Sequence, residues 1–117
     1  MRTALLVAAA IIAVSPTAFA DNFAECLLEN MPGVQSAPVR FAAFNLCKDK
    51  YPGGFDSVPQ GAGRGFFAKY DSGGECTLAE GRDTRDHYAS NMIAVSCRKL
   101  YDEPKFDSSS AILDPSQ

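Results

Sequence analysis

The chain has 117 residues, of which 14 are acidic, 11 are basic and four are cysteines, and its formal charge is −3. This length predicts one domain with a modest core. The two signs of charge are interspersed, so the sequence lacks the basic run that nucleic acid or an anionic lipid surface requires of a partner, and we expect no nucleic-acid binding.

Residues 1–20 are expected to be a signal peptide. Arg2 precedes an apolar run at residues 4–14, and the Ala-Phe-Ala sequence at residues 18–20 fits the rule for a cleavage site. Eleven helical residues rise only about 16 Å, whereas a membrane span needs about 30 Å. We therefore expect export to the periplasm or secretion, and no stable membrane anchor after cleavage.

The processed chain is expected to begin with a helical hairpin. Asn22 and Glu25 can form a reciprocal cap for the first helix. A second helix follows Ser36 and ends at the Pro-Gly-Gly of residues 52–54. Its periodicity would place an apolar set on the buried side: Val39, Ala42, Ala43, Leu46 and Cys47. Two antiparallel helices with Cys26 facing that side follow from this pattern.

The second half predicts a β-hairpin and a C-terminal helix. Residues 51–65 are rich in glycine and proline and are expected to form a surface loop. Aromatic residues, an Asp-Ser-Gly-Gly turn at residues 71–74 and a short run from Cys76 then indicate a β-hairpin. Residues 83–102 contain no glycine or proline, which favours a helix, although a strand would also place Ile93 and Cys97 on one face.

These elements predict a small α+β domain, stapled by disulfides, over residues 21–102. Residues 103–117 are expected to form a flexible tail. The fold class is therefore a helical hairpin, a β-hairpin and a final helix in one domain.

The two halves of the domain echo each other at an interval of fifty residues. Both cysteines recur at this interval, as do four other positions: Glu25 and Glu75, Leu28 and Leu78, Lys48 and Arg98, Tyr51 and Tyr101. The echo indicates a possible internal duplication, which favours Cys26–Cys47 and Cys76–Cys97 among the three possible pairings. Each bridge would contribute about 3 kcal/mol by closing its loop, so we expect reduction to unfold most of the protein.

The cysteine spacing favours disulfides over metal or redox chemistry. Structural zinc sites draw on ligands two to four residues apart, and thiol exchange usually needs Cys-x-x-Cys. Neither pattern is present, and an even number of cysteines in an exported chain is typical of a disulfide framework. We expect no metal and no other cofactor.

A hydrolytic site would have to use His87, because the chain has one histidine. Asp83, Asp86 and Ser90 lie near it in the sequence, which makes a small hydrolase-like enzyme the alternative hypothesis. The Gly-x-Ser-x-Gly sequence is missing, and neighbours in sequence rarely form a triad. We therefore expect the protein not to be an enzyme.

The loop around residues 60–65 is the candidate binding surface. Its sequence QGAGRG does not fit a phosphate-binding loop. Loops on a rigid frame often carry binding residues, and Arg64, Phe66, Phe67 and Phe55 give this one an aromatic and basic character. Core packing of the phenylalanines is the alternative. The sequence thus favours a non-catalytic binding or envelope-associated module whose ligand, a protein or a small molecule, it does not identify.

The strings ECLLENMPGV, AAFNLCKDKYPGG and ECTL resemble a group of small bacterial exported proteins with four cysteines. That group has no assigned activity, so the resemblance implies bacterial export and a cysteine frame and nothing catalytic. The second half ends in Tyr101-Asp102, without the proline that follows Tyr51 in the first.

Overall fold

The computed structural model describes residues 22–104, which form four α-helices and one short 3₁₀ helix. The helices are α1 (Phe23–Asn30), α2 (Ala37–Lys50), α3 (Gly73–Gly81) and α4 (His87–Tyr101), with the 3₁₀ helix at Gly54–Ser57. The expected signal peptide, and the expected tail from residue 105 onward, lie outside the described residues.

The expected α+β class is wrong, because residues 22–104 contain helices and no strand. The segment assigned to a β-hairpin forms α3 instead. Ser72 Oγ accepts a hydrogen bond from Glu75 N at 3.1 Å, and Glu75 Oε2 accepts one from Asp71 N at 3.2 Å. The bond from Glu75 N satisfies an amide that a helix leaves without a partner, and the bond from Asp71 N ties the Glu75 carboxylate to the backbone just before the cap, so a helix starts where we expected a hairpin turn.

The three other expected helices are confirmed. Asn22 Oδ1 caps α1 by accepting from Glu25 N at 2.9 Å. Asp86 Oδ1 caps α4 in the same way through Ala89 N at 2.9 Å, so α4 begins at His87 and not near Asp83. A helix is therefore the correct reading of the segment for which a strand was the alternative.

The structure consists of two helical hairpins, each with its own disulfide. The Cys26–Cys47 bridge joins α1 to α2 with the Cα atoms 5.6 Å apart, and Cys76–Cys97 joins α3 to α4 at 5.5 Å. Both expected pairings are confirmed. The starts of α3 and α4 fall fifty residues after those of α1 and α2, so the sequence echo extends to the position of the helices.

The core lies between α1 and α4, which contact each other, while α2 packs on α1 and α3 packs on α4. Its largest buried side chains are Phe23, Leu27, Met31, Ile93 and Leu100. All four cysteines are buried as well. The disulfides therefore hold each outer helix to a central one from within the core.

The buried side of α2 differs from the expected one. Ala43 and Cys47 are buried as expected, whereas Val39, Ala42 and Leu46 are exposed and Arg40 is buried in their place. Arg40 is buried because its Nη1 atom donates to both carboxylate oxygens of Asp86, at 2.8 and 3.0 Å. A charge is buried at low cost only when it is paired and hydrogen-bonded, and this partner lies in the other hairpin.

Candidate functional site

The glycine-rich loop lies across the C-terminal end of α4. The Gly61 and Gly63 amides donate to the carbonyl oxygens of Lys99 and Leu100, at 2.7 and 2.9 Å. The last carbonyl groups of an α-helix have no partner within the helix, so the loop supplies the missing donors. The sequence QGAGRG is thus a cap for α4, which is a structural use of its glycines.

Two side chains of the same segment complete this cap. Gln60 Nε2 donates to Arg98 O at 2.7 Å, and Arg64 Nη1 donates to Tyr101 O at 2.8 Å. A cation is favourable at this position because the helix dipole makes the C-terminal end negative. We call residues 60–64 the loop base, and these bonds attach the loop base to α4.

The loop base requires glycine at two positions. A Cβ on Gly63 would lie 2.9 Å from Tyr101 Cε1 and 3.1 Å from Leu100 Cβ, which is too close for an ordinary contact. Gly61 has a φ of +82°, in the left-handed region that glycine adopts without steric cost. The close approach of the loop to α4 therefore depends on the absence of side chains there.

Beyond the base, residues 65–68 form a turn that we call the apex. Ala68 N donates to Gly65 O at 3.1 Å, which places Phe66 and Phe67 at the two central positions of the turn. Their exposed fractions are 96% and 93%, and the two rings meet edge to face with centroids 5.1 Å apart. Burial of a phenylalanine gains about 1.5–3 kcal/mol, so two exposed rings side by side make the apex the candidate contact surface.

The charged residues on either side of the apex are paired. Arg64 Nη2 lies 3.3 Å from Glu103 Oε1, and Lys69 Nζ lies 3.1 Å from Glu80 Oε1. The hydrogen bond from Lys69 to Glu80 raises the pKa of Lys69 above its ordinary value. Tyr70 also donates to Glu80 Oε1, at 2.6 Å, and burial followed by this bond raises the pKa of Tyr70. At neutral pH the apex therefore stands between two ion pairs whose charges offset each other.

Of the four residues expected in the binding loop, the structure brings together Arg64, Phe66 and Phe67. Phe55 lies apart from them in the 3₁₀ helix, where its ring packs edge to face on Phe23 with centroids 4.9 Å apart. Phe55 is partly buried against the core. For Phe55 the alternative of core packing is therefore the one that the structure adopts.

The candidate catalytic residues near His87 have separate partners. His87 is exposed, and its Nε2 lies 3.4 Å from Asn91 Nδ2. Ser90 Oγ donates to Thr84 O at 3.1 Å. The Asp86 carboxylate accepts from Arg40 and from the first turn of α4. These contacts give Ser90 and Asp86 structural roles at the start of α4.

Comparison with known proteins gives no match: no family model matches the chain, and no curated protein or solved structure is significantly similar to it. Within residues 22–104, no helix is long and apolar enough to cross a bilayer. The same part of the chain holds no group of three His, Cys, Asp or Glu side chains that could bind a metal ion.

A second exposed aromatic pair lies where the two hairpins meet. Phe41 on α2 and Tyr88 on α4 have exposed fractions of 57% and 62%. The Arg40 guanidinium lies between them, 4.8 Å from the centroid of the Phe41 ring and 4.7 Å from that of Tyr88. These rings already have a cationic partner within the molecule, whereas the apex rings contact each other.

The sequence did not identify Gln60, Lys69 and Glu80 as part of this region. Lys69 lies two residues after Phe67, so the basic flank of the apex was visible in the sequence. The role of Glu80 was not visible in the sequence. The expected β-hairpin placed residues 76–78 in a strand, and a strand would not bring Glu80 close to Lys69. The helical path of α3 is what brings its carboxylate there.

Proposed function

We propose that the protein is an exported, non-catalytic binding module whose recognition surface is the apex. The observation that carries this proposal is the near-complete exposure of Phe66 and Phe67 at a turn whose base is attached to α4. A disordered loop could leave rings exposed by chance. A loop held by four donors to the end of a helix presents them in one place.

The two disulfides support the proposed location. Disulfides persist in oxidising compartments and are typical of extracellular and periplasmic proteins. The structure contains two of them, both buried. Together with the leader-like residues 1–20, they favour release into the periplasm or the medium. The resemblance to small bacterial exported proteins is consistent with the same compartment.

The contacts around His87 support binding in preference to catalysis. A hydrolytic site needs a base that reaches a nucleophile and is oriented by a third group. Here the hydroxyl of Ser90 and the carboxylate of Asp86 serve the start of α4. We expect His87→Ala to leave binding unchanged, which an assay of the kind below would measure.

The proposal is tested by retention on cell-envelope material. The oxidised, processed chain would be immobilised and exposed to an envelope extract of the producing cells, with its membrane and soluble fractions kept together. We expect the wild type to retain material and the double variant Phe66→Ser/Phe67→Ser to lose at least about nine-tenths of it, since the loss of even one ring costs about tenfold in affinity.

The matched control is Phe41→Ser/Tyr88→Ser, which removes two exposed aromatic rings from the other surface. We expect this variant to retain as much material as the wild type. Melting curves confirm that each variant is folded. Equal retention by the apex variant and the wild type would refute the proposed function.

A further inference from the structure

The apolar surface of the apex is small and ends abruptly. A phenylalanine buries about 150–250 Å², so the two rings offer at most about 500 Å². A stable protein–protein interface buries about 800 Å² on each partner. The neighbours of the rings do not extend the patch, because Gly65 and Ala68 are small and Arg64 and Lys69 are charged. The two rings therefore supply only part of an ordinary protein interface, and a protein partner would also have to cover the charged residues beside them.

Within residues 22–104, the other large exposed apolar side chains lie on helices and not in the apex. They are Val39, Phe41 and Leu46 on α2, Leu78 on α3 and Tyr88 on α4. The apex is thus a narrow projection with two rings at its end. Such a shape suits a deformable apolar medium, into which two side chains can enter without a matching pocket.

The charges near the apex indicate what kind of surface this would be. Arg64 is paired with Glu103, and Lys69 is paired with Glu80, so neither flank leaves a cation without an acid beside it. Without Arg2, the processed chain has 10 basic and 14 acidic residues, since one of the 11 basic residues is lost. Electrostatic attraction to anionic lipid is therefore weak, and apolar insertion has to supply the affinity.

We propose that the apex inserts Phe66 and Phe67 into the interfacial region of a phospholipid bilayer and so binds the protein reversibly to a membrane surface. The proposal names the ligand of the apex and rests on the proposed function. Insertion stops at the interface because the apex is an irregular turn, and its backbone groups need water or headgroups as partners. We expect an association constant no higher than that of a single myristoyl chain, about 10⁴ M⁻¹.

The first test uses protein-free vesicles and co-sedimentation. The oxidised, processed chain would be mixed with vesicles of phosphatidylcholine, and with vesicles of phosphatidylcholine and phosphatidylglycerol in equal parts. We expect the affinities for the two kinds of vesicle to agree within about threefold. Added salt should change them little, since salt screens attraction between exposed charges and does not weaken insertion of apolar rings. Phe66→Ser/Phe67→Ser should lower binding at least tenfold, and Phe41→Ser/Tyr88→Ser should leave it unchanged.

The second test reads the position of the rings directly. The chain contains no tryptophan, so a single substitution introduces an unambiguous fluorescent probe. Phe67→Trp should keep vesicle binding, and its emission should shift to the blue and become protected from acrylamide when vesicles are added. Tyr88→Trp is the matched control, and its emission should stay that of a water-exposed ring.

The outcomes separate this inference from the proposed function. Retention on envelope extract that depends on the apex, without vesicle binding, would overturn the bilayer proposal and leave a soluble or protein ligand for the same rings. If the protein neither retained envelope material nor bound vesicles, the proposed function and the bilayer proposal would both be overturned. Binding that requires phosphatidylglycerol and disappears with salt would overturn insertion in favour of charge-driven adsorption, as would equal emission shifts at residues 67 and 88.

Discussion

The two hairpins have the same plan and distribute their buried residues in opposite ways. In the first hairpin the leading helix carries the core, since α1 buries four of its eight residues and α2 only three of fourteen. In the second hairpin α3 buries two of nine residues, and α4 buries six of fifteen. The caps and cysteines that recur after fifty residues therefore determine where helices begin and where a disulfide joins them. They do not determine which helix of a hairpin forms the core.

Positions fifty residues apart show why the core-forming helix is the first one in one hairpin and the second one in the other. Phe23 opens α1 with a buried ring, and fifty residues later Gly73 opens α3 with no side chain at all. Near the end of the second helix of each hairpin the larger buried side chain is in the other half, because Lys50 in α2 is exposed and Leu100 in α4 is buried. Both differences place a large buried side chain on α1 or α4 and none on α2 or α3.

The largest expected effect is that of Phe23→Ala, which tests whether α1 carries the core. The Phe23 ring packs edge to face on Phe44 and Phe55, with centroids 5.8 and 4.9 Å away. We expect a loss of about 3–5 kcal/mol in the free energy of unfolding, measured by urea denaturation. Leu78→Ala, on the exposed side of α3, is the control and should cost less than about 0.5 kcal/mol. A cost below about 1 kcal/mol for Phe23→Ala would contradict this distribution of the core.

The next largest effect on stability comes from removing a disulfide, and its local consequences should differ between the two bridges. Replacing either pair by alanine should lower the free energy of unfolding by about 3 kcal/mol. The local result should differ, because α3 buries Gly73 and Cys76 alone and depends on Cys76–Cys97 to stay on α4. We expect Cys76→Ala/Cys97→Ala to abolish amide exchange protection in α3, while Cys26→Ala/Cys47→Ala leaves α1 protected. Equal loss of protection in α1 and α3 would show that the hairpins are held alike.

A smaller effect tests why α3 begins with glycine. A Cβ on Gly73 would lie 2.9 Å from the Cα of Arg98 in α4, and the Gly73 amide donates to Asp102 Oδ1 at 2.8 Å. We expect Gly73→Ala to lower the melting temperature, with a cost of about 1–3 kcal/mol from overpacking.

Gly74→Ala is the matched control for that substitution. The nearest atom to a Cβ on Gly74 is Ser72 Oγ at 3.8 Å, so there is room for a methyl group. Alanine in a helix is favoured over glycine by up to about 1 kcal/mol, and we expect a small rise in melting temperature. If both variants melted alike, close contact between α3 and α4 would not explain the glycine.

An effect that depends on pH concerns the caps of the second helices. Within the described residues Ser36 makes no side-chain cap bond at α2, whereas Asp86 caps α4 and also binds Arg40. The bond from Ala89 N, and then the Arg40 guanidinium, hold the pKa of Asp86 below its ordinary value. A carboxyl whose pKa is lowered by folding stabilises the protein above its unfolded pKa of about 3.9, and this contribution is lost as the pH falls through the folded pKa.

Asp86→Asn isolates this contribution, because asparagine is also a good cap but carries no charge. We expect the wild type to be the more stable protein at about pH 6, and the two stability curves to converge as the pH falls below about 4. Thermal melts across this range measure it. A constant difference between the curves at every pH would exclude the charge of Asp86 as its source.

Much of the fold could be predicted from local signals. The cap at Asn22 and the helical lengths predicted α1, α2 and α4, and the echo predicted both disulfides. The same echo also pointed to α3, since Ser72 and Glu75 stand fifty residues after Asn22 and Glu25 and form the same kind of cap. The Asp-Ser-Gly-Gly sequence also fits a hairpin turn, because serine and glycine serve both purposes, and this ambiguity is why the predicted β-hairpin is wrong.

What the sequence did not predict depends on distant contacts. Arg40 lies on the buried side of α2 because it pairs with Asp86, 46 residues away. The periodicity of a single helix gives no information about so distant a contact. At the site, Phe66 and Phe67 were identified by their type and by the loop they occupy. Phe55 has the same type and lies close in sequence, and only its contact with Phe23 separates it from them.

The attachment of the loop base to α4 has an entropic consequence for recognition. A segment that orders only on binding gives up backbone freedom worth about 1–2 kcal/mol for each residue. Here Gly61, Gly63 and Arg64 are already held by carbonyl groups of α4 before any ligand arrives. Binding then has to restrict little more than the rotamers of Phe66 and Phe67, at about 0.5–1.5 kcal/mol each. For the proposed binding, two rings then suffice for useful affinity because the end of a helix has immobilised the loop in advance.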